Sequence, residues 1–143
     1  MHYKHTQIGY VIIASIAIVI GLMMFLSQVA TPKETKIIMG IVFLILLSFS
    51  TLTVSIDQQK LSVKFGYGIF KKTFLLSEIA SAKQVKNHWY YGWGIRFRPT
   101  NSTWIFNVSG YDAVEIVTKT GRTYRIGTDE PEKLTAVIKQ SIS

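Results

Sequence analysis

The chain has 143 residues, of which 48% are hydrophobic, a mean hydropathy of +0.27 and a net charge of +8. It contains no Cys, which excludes disulfide scaffolds, thiol nucleophiles and cysteine–zinc sites. Residues 1–56 carry three Lys and one Glu, and residues 57–143 carry 13 Lys/Arg and seven Asp/Glu, so the two parts hold net charges of +2 and +6. That split predicts a membrane piece followed by a basic globular piece of roughly 87 residues, enough for one small core and too short for most enzymes with an elaborate cleft.

In chain order, the first apolar run is Ile8 to Ala30, without a charged residue. Its length corresponds to about 34 Å of helix, enough to cross a hydrocarbon core of about 30 Å. It exceeds the apolar region of a signal peptide, about 7–15 residues, and Gln28 spoils the nearest cleavage-like site. Thr31-Pro32-Lys33-Glu34-Thr35-Lys36 reads as a polar turn. A second run starts at Ile37 and fades after Ser50, where Leu52, Val54 and Ile56 alternate with Thr53, Ser55 and Asp57 in the period of a strand. The expected hairpin therefore has helices over about 8–30 and 35–53, with Ala14, Ala17, Gly21 and Gly40 small enough for close approach. Lys4, Lys60, Lys64, Lys71 and Lys72, set against Lys33 and Lys36 in the turn, favour a cytoplasmic domain and cytoplasmic termini.

From residue 57 onward the pattern is one of short strands. Leu61, Val63 and Phe65 alternate with Ser62 and Lys64 before Gly66-Tyr67-Gly68 turns the chain. Strands are expected over 70–76, 79–86, 93–98, 104–108 and 114–119, and Thr120-Gly121 marks a short hairpin into 122–126. Seven or eight strands with short links suggest a sandwich or a partly closed barrel. Asp129-Glu130-Pro131-Glu132 then opens a helix over about 130–142, whose stripe of Leu134, Val137, Ile138 and Ile142 suits a plug for an open end.

Strands closed by one C-terminal helix resemble the pleckstrin-homology superfold. Three segments carry the resemblance further: Trp89-Tyr90-Tyr91-Gly92-Trp93-Gly94-Ile95-Arg96, Tyr111-Asp112-Ala113-Val114-Glu115, and Ile126-Gly127-Thr128-Asp129-Glu130-Pro131. Together they look like a group of small bacterial membrane proteins that pair a two-helix hairpin with a bacterial pleckstrin-homology-like domain. The resemblance implies a transmembrane hairpin over 1–56 and a pleckstrin-homology-like barrel of about seven strands over 57–143, at the inner membrane as a multi-pass protein. It implies an architecture rather than an activity.

Catalytic chemistry is hard to find in this sequence. His2 and His5 sit in the N-terminal tail without acidic neighbours in sequence, and His88 is the only other histidine. Gly66-Tyr67-Gly68 and Gly92-Trp93-Gly94 fall between strands and open no helix, so they read as turns rather than phosphate loops. No active site, metal or cofactor is expected. The candidate ligand-binding residues are Lys83, Lys86, Tyr90, Tyr91, Trp93, Arg96 and Arg98, a basic and aromatic stretch in which Arg96 and Arg98 share a strand face about 7 Å apart. The sequence thus predicts a non-enzymatic, membrane-anchored module contacting anionic headgroups or a membrane-protein partner. Alternatives are a subunit of a larger assembly or homo-oligomer, and a binder of a peptide or hydrophobic ligand. Asp57-Gln58-Gln59-Lys60 lacks the basic motif of phosphoinositide-binding relatives, and the spread of charge disfavours nucleic acid.

Overall fold

A computed structural model describes residues 3–87, 94–99, 102–108 and 110–142. Strand β1 (Tyr3–Ile8) leads into helices α1 (Tyr10–Leu26) and α2 (Lys33–Ser48), then β2 (Thr51–Ile56), β3 (Lys60–Phe65) and β4 (Phe70–Leu75). A single 3-10 turn, Leu76–Glu78, precedes β5 (Ile79–Lys86), β6 (Gly94–Arg98), β7 (Thr103–Asn107), β8 (Asp112–Thr118), β9 (Thr123–Gly127) and helix α3 (Pro131–Ile142). The strands form a four-stranded sheet ordered β1-β2-β3-β4 and a five-stranded sheet ordered β5-β8-β9-β7-β6.

Helices α1 and α2 are 17 and 16 residues long, about 25 and 24 Å, short of the roughly 30 Å of a hydrocarbon core. Among the described residues no helix is long and apolar enough to cross a membrane. The two-span transmembrane hairpin expected over 8–30 and 35–53 is therefore corrected. The correction extends to the resemblance to two-helix bacterial membrane proteins, the integral membrane partnership and the multi-pass inner-membrane location. The physical reason lies at both ends of the hairpin. The tail before α1 is a strand whose register with β2 pairs Tyr3 with Ile56 and Ile8 with Thr51, so Ile8 and Thr51–Thr53 are drawn from helix into sheet. At the tip, α1 stops at Leu26 because Ser27, Gln28 and Val29 turn the chain back, their amides donating to the carbonyls of Met23, Phe25 and Leu26.

The closed or partly closed barrel is corrected as well. Among the described residues nine strands stand in two sheets, and no ladder joins β4 to β5 or β1 to β6. The 3-10 turn carries the chain away from the β4 edge, and β5 pairs with β8 instead. The core lies between the two sheets. Alternation on β3 sends Leu61, Val63 and Phe65 inward against Leu52, Val54 and Ile56 of β2, all at most 3% exposed. From the other sheet come Phe106, Val114, Ile116, Tyr124 and Ile126. Phe74 meets Tyr124 edge-on at 4.7 Å and Phe65 meets Phe106 at 6.2 Å, joining the layers across the middle.

Helix α3 begins at Pro131, where a missing amide costs nothing, and packs Leu134, Thr135 and Ile138 onto β5 and β8. Its start is tied to the edge strand β1: the Tyr3 hydroxyl donates to Glu130 Oε1 at 3.0 Å, and the His5 ring contacts Asp129 and Glu130. At the base of the hairpin, Phe49 stacks on Phe70 at 4.8 Å and meets Phe65 at 5.0 Å, anchoring the end of α2 in the first sheet. The hairpin above that base is uncovered. Among its described residues α1 buries none, and Ile18, Met24, Phe25, Ile38 and Leu44 are all exposed.

Candidate anion-binding surface

The five-stranded sheet separates the basic residues that lie close together in sequence. Lys83 and Lys86 are on β5, one edge strand, whereas Arg96 and Arg98 are on β6, the opposite edge. Four strand spacings lie between them, about 19 Å. Tyr90, Tyr91 and Trp93 lie outside the described residues.

Each half has its own environment. Lys83 and Lys86 face carboxylates directly opposite on β8, Glu115 at 3.5 Å and Asp112 at 3.1 Å. Glu115 is also the cross-strand neighbour of Arg125 on β9, whose Nε donates to its Oε2 at 2.9 Å. Arg125 Nη1 reaches further, to Asn87 Oδ1 at 3.3 Å and the Lys86 carbonyl at 3.4 Å. This is a structural network. It fixes the end of β5, and the carboxylates in it neutralise much of the positive charge on that edge.

The β6 edge has a different character. Arg96 and Arg98 stand on one face opposite Ile105 and Thr103, with Arg96 exposed and Arg98 half-buried. On the other face Phe97 pairs with Trp104, ring centroids 4.8 Å apart, both beyond the shelter of the core at 48% and 41% exposed. One edge strand therefore presents guanidinium groups on one side and an aromatic pair on the other. Arginine can take a phosphate or carboxylate through paired N–H donors, and aromatic rings suit a boundary between wet and apolar surroundings.

His5 was isolated in sequence but is not isolated in space. Its Nε2 lies against Asp129 and its Nδ1 is 3.0 Å from Glu130. Both ring nitrogens are engaged, and no group of three His, Cys, Asp or Glu among the described residues could hold a metal ion. Burial, then the hydrogen bond and negative charge of Glu130, hold the Tyr3 phenol well above its usual range. The cluster clamps β1 onto α3. The long-range pairing of the N-terminal tail with the β2 strand is the signal that would have revealed it.

Compared with known proteins, the chain matches no family model and no curated relative. What the fold defines is a two-sheet β domain with a C-terminal helix, from which an apolar helical hairpin projects.

Proposed function

We propose that the protein is a non-enzymatic docking module that rests on anionic headgroups at the outside of a lipid surface. The observation that carries this reading is the β6 edge, where exposed Arg96 and its neighbour Arg98 flank the exposed Phe97–Trp104 pair. Such an edge matches a headgroup layer, with anionic groups for the guanidiniums and a half-apolar boundary for the rings. Co-sedimentation of the full chain with anionic and neutral vesicles tests it. Preference for the anionic vesicles, reduced by R96E/R98E, is the expected result, and equal binding to both vesicle types refutes it.

A second reading is favoured by the hairpin. A Cβ added at Gly21 or Gly40 would meet nothing within 4 Å, so these two small positions do not serve the contact between α1 and α2 and remain open to another helix. With the surrounding Ile, Leu and Met exposed, a second copy packing hairpin to hairpin would cover apolar surface. Light scattering of the full chain decides this: a dimer or larger particle broken up by G21L or G40L supports it, and a monomer refutes it.

A further inference from the structure

The outer face of the four-stranded sheet has a composition of its own. Strand register assigns twelve positions to it: Lys4, Thr6 and Ile8 on β1, Thr51, Thr53 and Ser55 on β2, Lys60, Ser62 and Lys64 on β3, and Lys71, Thr73 and Leu75 on β4. Four are lysines, six carry hydroxyl groups, two are aliphatic and none is acidic. All four lysines are exposed. Lys64 and Lys71 are direct cross-strand partners, with Cβ atoms about 5 Å apart, an arrangement of like charges that costs stability in the absence of an anion. The nearest carboxylate by sequence, Asp57, is turned into the β2–β3 connection, where Oδ1 accepts the amides of Gln59 and Lys60 at 2.9 and 2.8 Å.

Apolar side chains gather at one end of this face. Gly66 donates its amide to the Thr51 carbonyl, so the β3–β4 turn lies at the foot of the hairpin, with Tyr67 and Ile69 70% and 68% exposed. Tyr10, at the first position of α1, is 68% exposed at the same foot. Lys64 and Lys71 are the lysines next to that end, and Lys60 lies about 13 Å further along the strand direction. Apolar and basic side chains thus follow one another along one direction, the order in which a bilayer presents acyl chains and then anionic headgroups. A nucleic acid backbone would meet the lysines but offers no apolar layer for Tyr10, Tyr67 and Ile69.

We propose that this lysine and hydroxyl face is the main docking surface for an anionic bilayer, with Lys64 and Lys71 as its principal headgroup contacts and the exposed residues at the foot of the hairpin in the headgroup boundary. The proposal rests on the headgroup-docking reading above and moves the principal contact from the β6 edge to the opposite sheet. The full chain is added to vesicles of phosphatidylcholine alone and of equal parts phosphatidylcholine and phosphatidylglycerol, and binding is read by flotation. K64Q/K71Q is compared with R96Q/R98Q. A lysine near an anionic surface contributes about fivefold in affinity, so the K64Q/K71Q variant should lose about thirtyfold on the anionic vesicles and nothing on the neutral ones. Its thermal midpoint should not fall, since a like-charge pair is being relieved. A wild-type preference for anionic vesicles that K64Q/K71Q leaves intact overturns this surface while the docking reading stands. No wild-type preference overturns both. Binding to a DNA duplex that K64Q/K71Q removes, without vesicle preference, would identify a nucleic acid as the occupant and overturn the bilayer.

Discussion

Glu115 offers a sharp test of what holds the five-stranded sheet. Its carboxylate is 12% exposed and lies between the exposed Lys83 ammonium and the Arg125 guanidinium, which is itself 14% exposed. Replacing it with Ala would leave Arg125 mostly out of water without its carboxylate, its guanidinium still in reach of the Asn87 side-chain oxygen and the Lys86 carbonyl. Removing one partner from a fully buried pair costs about 3–5 kcal/mol, and a charged hydrogen bond is worth about 1.5–3 kcal/mol. For a pair with this residual exposure, Glu115→Ala should destabilise by about 2–4 kcal/mol. Lys83→Ala should cost no more than about 0.5 kcal/mol, because its ammonium is 68% exposed and keeps its hydration. The double variant Glu115→Ala/Arg125→Ala leaves no stranded charge, so it should be less unstable than the sum of the two single changes by at least about 1 kcal/mol. Urea denaturation followed by tryptophan fluorescence gives all four values. If Glu115→Ala and Lys83→Ala cost the same, or if the changes simply add, the pair does not stabilise the β8–β9 ladder and the reasoning fails.

Three other perturbations probe different joints. The Tyr3 phenol titrates above its ordinary value of 10.0 in the folded chain, through burial first and then Glu130. The unfolded chain therefore loses its proton first: the stabilisation is complete below about pH 10 and fades as pH rises beyond it, by up to about 1.4 kcal/mol per pH unit. Tyr3→Phe should remove that part of the alkaline slope, and unchanged slopes in denaturation series across pH 9–11 would refute the assignment. Gly66 has φ +49°, and an added Cβ would lie 2.6 Å from the Ser48 carbonyl oxygen; Gly66→Ala should cost at least about 2 kcal/mol in thermal unfolding. Leu134 is wholly buried where α3 meets β5 and β8, so Leu134→Ala should cost about 2–5 kcal/mol, measured by urea denaturation.

Elements with a strong local period were legible from sequence. The stripe of Leu134 and Ile138 behind an acidic, proline-led start marked α3, found at Pro131–Ile142, and the alternation of Leu61, Val63 and Phe65 marked β3. Strand β1 was not legible, because the side chains on its inner face are Tyr3, His5 and Gln7, and two of these are polar. What makes it a strand is pairing with residues 43 to 53 positions away, which no local window contains. The same pairing shortened the helices, since Ile8 and Thr51 suit either element and the sheet decides. How the candidate residues group in space was not legible. Lys83 and Arg96 are close in sequence, but β7 pairs in parallel with β9 and places β6 at the far edge from β5.

The net charge of +8 is also distributed by topology rather than spread evenly. Asp112 and Glu115 face Lys86, Lys83 and Arg125 on the five-stranded sheet, and Asp129 and Glu130 face His5 and Lys133 around the start of α3. Half of the eight acidic residues are thus engaged away from the outer face of the four-stranded sheet, which has none of its own. On the five-stranded sheet Lys83 and Lys86 stand among acids, whereas the four lysines on the outer face of the other sheet have none beside them, a separation that solubility alone does not require because mixed signs serve it as well. Segregation of this kind concentrates the field on one flat face, and that field is screened by salt within about 8–10 Å. Binding through this face should therefore weaken steeply as salt rises, whereas contact through the apolar hairpin alone should not.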